Sequence, residues 1–207
     1  MIIAVDGPTA SGKGTIARGL AAHFGLPYLD TGLLYRAVGR QVFLDGGDPD
    51  EAGDALAGTA FPDALLADPS LRSEETGGLA SRVSIHPSVR QALYERQRKF
   101  AEQPGGAVLD GRDIATVIAP DADVKLFVTA SVEARAERRW KEMRESGIEV
   151  SLDDIAQDIR ARDERDANRA EAPLRVAEGA FVIDNSAMTR EQALAAAIEA
   201  VEAARRG

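Results

Sequence analysis

Gly7-Pro8-Thr9-Ala10-Ser11-Gly12-Lys13-Gly14-Thr15 lies between a short apolar run, Ile2 to Val5, and a stretch of helical spacing from 13 to 24 in which Ile16, Leu20 and Phe24 recur four apart. A buried strand, a glycine-rich loop and a helix in that order form a phosphate cradle. Glycines let the backbone wrap an anion, whose oxygens then meet successive N–H groups and the positive end of the helix dipole. Lys13 adds a full charge where the β- and γ-phosphates of a nucleoside triphosphate would lie. The usual loop of this kind places Ser or Thr directly after the lysine, whereas here Gly14 intervenes and Thr15 supplies the hydroxyl.

Outward from this loop the same alternation repeats. Residues 27 to 30 predict a second strand and 31 to about 44 a helix, so the chain starts βαβα. Apolar runs at 107–109, 124–128 and 181–183 predict three further strands, and helices are expected at 87–102, 131–145, 151–167 and from Thr189 onward. Thr189 with Gln192 is a capping box, and Ser151 with Asp154 a weaker version of one. Short strands without polar alternation, separated by helices, imply an α/β fold with a five-stranded parallel sheet covered on both faces in three layers, α/β/α. The stretch from Asp45 to Gly78 breaks the pattern with Gly46-Gly47, Pro49, Gly53, Gly58, Pro62, Pro69 and Gly77-Gly78, and reads as an irregular insertion.

Composition narrows the chemistry. At 207 residues, with 44% hydrophobic and 29% charged, the chain can close one sizeable core. It has no cysteine and two histidines, His23 and His86, which excludes disulfides, thiolate or histidine-rich metal sites and a cysteine nucleophile. No signal segment or membrane-length apolar run is present, so a cytoplasmic location is expected. A net charge of -9 argues against broad nucleic-acid binding. Any phosphate must therefore be met by basic residues gathered locally.

Arginines provide the candidates for a second phosphate site. Asp30-Thr31-Gly32-Leu33-Leu34-Tyr35-Arg36 follows the second strand, and Asp110-Gly111-Arg112-Asp113 follows the third. Arg162, Asp166 and Arg169 stand at i, i+4 and i+7, one helical face if the helix persists that far. On spacing alone these arginines fit either a bidentate phosphate grip or a solvated face laced with ion pairs.

Taken together, the segments resemble the bacterial cytidylate kinases, nucleoside monophosphate kinases of the P-loop class. Residues 7–15, 30–36, 110–113 and 162–174 match that family's four motifs, and Ala80-Ser81-Arg82-Val83 with Arg90 resembles a fifth. The resemblance implies transfer of the γ-phosphoryl group of ATP to CMP or dCMP, with Mg2+ as cofactor and a monomeric enzyme. It implies Ser81, Arg90 and Asp113 at the cytosine ring, Arg36, Arg112 and Arg169 at the acceptor phosphate, and Arg162 and Asp166 near the sugar, with Thr31 and Tyr35 in the acceptor segment. Lys13, Arg112, Arg162 and Arg169 are the residues expected to carry catalysis, and Thr15 and Asp110 the magnesium ion. It also implies one kinase domain over 1–207, with a nucleotide-binding insertion at 45–85 and a helical lid at 135–160 whose Arg135 and Arg139 reach ATP. Members of the family usually place a small antiparallel sheet in the insertion, for which 45–78 is short and glycine-rich.

Cytosine offers an amino donor at N4 and acceptors at N3 and O2, an edge that an aspartate, an arginine and a hydroxyl can read. Two rivals stand beside this expectation. One is a kinase of the same fold acting on another monophosphate or on shikimate, and the other a regulatory module that holds ATP without turnover.

Overall fold

The computed structural model describes residues 1–206 as two compact units, 1–29 with 101–206 and 30–100. The first carries the sheet. Strands β1 (Ile2–Asp6), β2 (Tyr28–Asp30), β3 (Ala107–Gly111), β4 (Val124–Thr129) and β5 (Phe181–Asp184) lie in the order β2-β3-β1-β4-β5. β1 pairs parallel with β3, Ile3 opposite Val108 and Asp6 opposite Gly111, and parallel with β4, Ile3 opposite Val124. β4 pairs parallel with β5.

The central strands contain no exposed side chain, which is why they lack polar alternation. Ile3 and Val5 join Ile16, Leu20, Val108 and Leu126 in one core, closed by helices α1 (Lys13–Phe24) and, through Ala193, Ala197 and Val201, the C-terminal Arg190–Ala204. Ala4 and Leu109 are fully buried as well. Because β1 connects to neighbours on both sides, the chain reverses its winding there, and the crevice beyond the carboxyl end of β1 is where such sheets bind ligands. The glycine-rich loop begins at that end.

Helices are labelled in chain order: α2 (Thr31–Leu44), α3 (Ala52–Ala57), α4 (Glu74–Val83), α5 (Pro87–Ala101), α6 (Val132–Glu145), α7 (Leu152–Asn168) and α8 (Arg190–Ala204). Ser131 and Ser151 cap α6 and α7, accepting from Ala134 N and Asp154 N, and the Thr189–Gln192 box at α8 is complete. α6 and α7 form a helical hairpin around Ala136, Ile155 and Ile159, with Trp140 packed on them. The expected helix does not persist to Arg169: α7 stops at Asn168, and Arg169 turns out with φ -57 and ψ 137.

The second unit is all helical. The stretch 45–78 that reads as irregular forms α3, three short 3₁₀ turns at 58–60, 63–67 and 69–72, and the start of α4. No strand forms among residues 31–100. Its prolines cause no break because Pro69 opens a turn, where its missing N–H goes unmissed, and Pro62 immediately precedes another. Asp68 and Ser73 cap the following segments, accepting from Ser70 N and Thr76 N. Phe61 and Leu71 then bury against Leu34, Val38 and Val83, giving the stretch a core of its own. No helix is long and apolar enough to cross a membrane among the described residues.

Candidate active site

The phosphate loop is held in a conformation that few sequences could adopt. A Cβ on Gly7 would stand 2.0 Å from the Val128 carbonyl oxygen, backbone that cannot move aside. Ala10 has φ 56, a left-handed setting uncommon for alanine and maintained only where the surroundings impose it. Gly12 precedes α1, so the helix opens with its first N–H groups turned to the loop and no acidic side chain in its first turn. Lys13 Nζ lies over the loop, 3.4 Å from the Pro8 carbonyl oxygen, and Thr15 is exposed.

Gly14 is explained by Asp110. A Cβ at 14 would stand 3.1 Å from Asp110 Oδ2, so a larger side chain directly after the lysine would press on that carboxylate. Asp110 is 4% exposed at the carboxyl end of β3, and its Oδ1 accepts from the Tyr28 hydroxyl at 3.0 Å. No group of three or more acidic or histidine side chains that could cage a metal occurs among the described residues. One carboxylate and one hydroxyl beside a phosphate loop nonetheless suit Mg2+, which keeps several waters and takes its other ligands from substrate phosphates.

Beside Asp110 lies a charge cluster. Arg112 Nε donates to Asp166 Oδ2 at 2.7 Å, with side chains 25% and 10% exposed. Burial pushes the Asp166 carboxyl up, but Arg112 outweighs it by charge and hydrogen bond, helped by Arg169 and Lys13, so the group is held below the usual carboxylate range. Arg112 is likewise pushed down by burial and held above its ordinary value by Asp166, with Asp110 and Asp163 adding to the effect. Arg162 pairs with Asp158 at 2.8 Å, and Arg169 Nη2 donates to Ala172 O at 2.7 Å. The structure thus gathers Lys13, Asp110, Arg112, Asp166 and Arg169 into one electrostatic neighbourhood even though Arg169 has left the helix.

Asp113, 4% exposed, follows Arg112 at the start of a turn from Ile114 to Ile118. That turn is fixed by Asp6, the last residue of β1, whose two carboxylate oxygens accept from Ile114 N at 2.9 Å and Ala115 N at 2.8 Å. Burial is the main force on Asp6, raising its pKa from 3.8 to about 6 against the pull of the two N–H donors; Asp113 also raises it and Lys13 lowers it. The folded value lies above the unfolded one, so the native state binds more protons between them, and this group makes unfolding free energy fall as pH rises from about 4 through 6. The shift corresponds to roughly 3 kcal/mol. Asp6→Asn has no such proton to lose. Denaturant unfolding at pH 4.5 and pH 7 should show the variant's stability relative to wild type rising by a large part of that amount at the higher pH; an unchanged difference would mean Asp6 titrates normally.

In the second unit, Arg36 Nη1 donates to the carbonyl oxygens of Leu71 and Ser73, both at 2.8 Å. Arg90, 9% exposed, lies over the Tyr35 ring at 5.7 Å and donates to Ser84 O at 3.4 Å. Ser81 is half-buried on α4, and Thr31 is buried at the start of α2 beside its Asp30 cap. The last 3₁₀ turn and the capping residue of α4 thus supply the carbonyls that orient Arg36.

The two α6 arginines expected at ATP have protein partners. Arg135, expected at ATP, is 4% exposed and bonded to Ala130 O, Thr9 O and both oxygens of Asp163 at 2.6–3.1 Å. Its guanidinium holds the outside of the phosphate loop. Arg139 Nη1 meets Glu142 at 3.2 Å. Asp6, Tyr28 and Asn185 escape the sequence motifs, and Asp163 lies within the 162–174 segment with no role assigned to it; only the position of Asp6 next to Gly7 hints at a role.

Residues 3–203 match the family model described as cytidylate kinase. The chain is 55% identical over 207 residues, all of both chains, to a protein of Xanthobacter autotrophicus named cytidylate kinase. It is 54% identical over 204 residues, 96% of each, to one so named from Rhodospirillum rubrum. Among solved structures, an uncharacterized protein from Eubacterium ventriosum shares the fold at TM-score 0.55 and 16% identity over 98% of each chain.

Proposed function

Because the chain belongs to the cytidylate kinase family, we propose that it transfers the γ-phosphoryl group of ATP to CMP, and to dCMP, giving ADP and CDP or dCDP. The observation that supports this most strongly is the Arg112–Asp166 pair, set beside Lys13 and Asp110. A nucleotide-holding loop alone suits any ATP-binding protein. A second set of arginines belongs to a protein that must also hold an acceptor phosphate.

In this reading an oxygen of the CMP phosphate attacks the γ-phosphorus of ATP, the bond to the β-bridging oxygen breaks, and ADP leaves. The attacking oxygen is already anionic, so no general base is required. Catalysis rests on alignment of the two phosphates and on cancelling charge at the transferred group. Residues 7–15 hold the ATP phosphates, Lys13 neutralises the migrating charge, and Arg135 and Arg139 are the α6 residues assigned to ATP. Arg36, Arg112 and Arg169 take the acceptor phosphate, and Arg162 and Asp166 the sugar. Ser81, Arg90 and Asp113 read the base, with Thr31 and Tyr35 supporting the acceptor segment. Thr15 and Asp110 would hold Mg2+, which supplies positive charge at the phosphates. The α6–α7 hairpin serves as the lid, residues 45–85 as the acceptor-binding insertion, and the enzyme works as a cytoplasmic monomer.

The test is the initial rate of ADP formation from ATP and magnesium with CMP, dCMP, UMP, AMP, GMP or shikimate. Turnover is expected with CMP and dCMP and at least tenfold less with UMP, whose ring sets an acceptor against the Asp113 carboxylate. Preference for another acceptor would overturn the base assignment, and ATP binding without any turnover would revive the regulatory module.

A further inference from the structure

Two arginines of α6 connect to the phosphate loop, one directly and one through Asn185. Arg135 reaches Thr9 O directly. Arg138, one turn later, donates from Nη1 to Asn185 Oδ1 at 2.8 Å and from Nη2 to Asn185 O at 2.5 Å. Asn185 in turn donates from Nδ2 to the Ser11 carbonyl oxygen at 2.8 Å. It is 4% exposed, and its own N–H is bound to Thr129 O at 2.9 Å, so its backbone is fixed at the ends of β4 and β5. With Arg138 on one side and a carbonyl on the other, only one orientation of the amide satisfies both partners.

A loop that offers N–H groups to a phosphate must turn the matching carbonyls away from it. Those carbonyls need donors of their own, and Asn185 supplies one at Ser11, immediately before Gly12 and Lys13. We propose that Asn185, oriented by Arg138, is a positioning residue for the phosphoryl donor: it fixes the Ser11 peptide so that the N–H face of the loop is preset for the ATP phosphates. Nothing in the motifs at 7–15 or in the late arginine segment includes this relay. It links α6, the first helix of the lid hairpin, to the loop through a single side chain.

The inference rests on ATP being the donor, and the experiment separates the two. Equilibrium binding of ATP by calorimetry, with KM for ATP and for CMP and kcat, is compared for wild type, Asn185→Asp and Arg138→Met. If the wild type binds no ATP, the donor assignment itself fails. If it does, Asn185→Asp is the decisive variant, because the carboxylate still accepts from Arg138 yet faces the Ser11 carbonyl with an acceptor and adds negative charge behind the loop. The expected result is at least a tenfold weaker Kd and higher KM for ATP, with KM for CMP within twofold. Arg138→Met, which leaves Asn185 unoriented, should weaken ATP three- to tenfold, and it decides the matter if Asn185→Asp does not fold. ATP affinity within twofold of wild type in the folded variants, or equal loss toward ATP and CMP, would overturn the proposal and leave the relay a purely structural contact.

Discussion

Lys13→Ala should lower kcat at least ~1,000-fold while leaving the thermal unfolding midpoint within a few degrees of wild type. The size follows from removing a positioned charge aimed at a group whose negative charge is redistributed during transfer, in a site arranged to hold it. The fold should survive because Lys13 is only half-buried and its bond to Pro8 O, at 3.4 Å, is long. Steady-state ADP release with saturating ATP and CMP, beside a calorimetric scan, checks both halves. A variant that keeps a tenth of wild-type kcat would place the migrating phosphoryl group elsewhere than at this loop.

Arg112→Met should act on two levels at once. The first is catalytic: an arginine assigned to the acceptor phosphate is lost, and kcat/KM for CMP should fall ~100-fold or more, with the KM for ATP changed far less. The second is structural. Asp166 is largely buried and held ionised chiefly by Arg112, so removing that partner leaves a carboxylate whose burial is no longer compensated except by Arg169 and Lys13. Stability near neutral pH should drop by about 3 kcal/mol, the low end for breaking a buried pair, since a quarter of the Arg112 side chain meets solvent. The sign with pH follows from the lowered Asp166 value. The pair contributes fully above the unfolded carboxylate pKa and loses that contribution as pH falls below it through the lower folded value, so the gap between wild type and variant should narrow in acid. Arg112→Lys should restore part of the stability and little of the activity, because an ammonium cannot reproduce the planar, forked donor. A gap between wild type and variant as large at about pH 3 as at pH 7 would remove the ion pair from the account.

What the sequence made legible follows from where the physics is local. The strands at 2–6, 107–111 and 124–129 stand out because burial on both faces demands continuous apolar runs. α7 and α8 announce themselves through Ser151 and the Thr189–Gln192 box, each a hydrogen bond between residues three apart. The stretch 45–78 was illegible for the converse reason. Its turns are too short to show a period, and they are stabilised by Phe61 and Leu71 packing on residues far away in the sequence.

The site divides in the same manner. Gly7, Lys13, Arg112 and Asp166 belong to motifs whose residue types state their chemistry. Arg135 does not: from sequence, nothing in an arginine on a polar helix tells that it also satisfies carbonyls and a half-buried aspartate. Asp6 and Asn185 were missed because their partners, Ile114, Ala115 and Ser11, are more than 100 residues away and are backbone groups, which leave no trace in residue type.

The most direct test of phosphoryl transfer between two nucleotides is a single competition. ATP labelled in its γ-phosphate is given to the enzyme with magnesium and equal amounts of CMP and UMP, and the products are separated. The label should appear in CDP, in its terminal phosphate, at least tenfold above UDP. Label chiefly in UDP, or only in inorganic phosphate, would contradict the account.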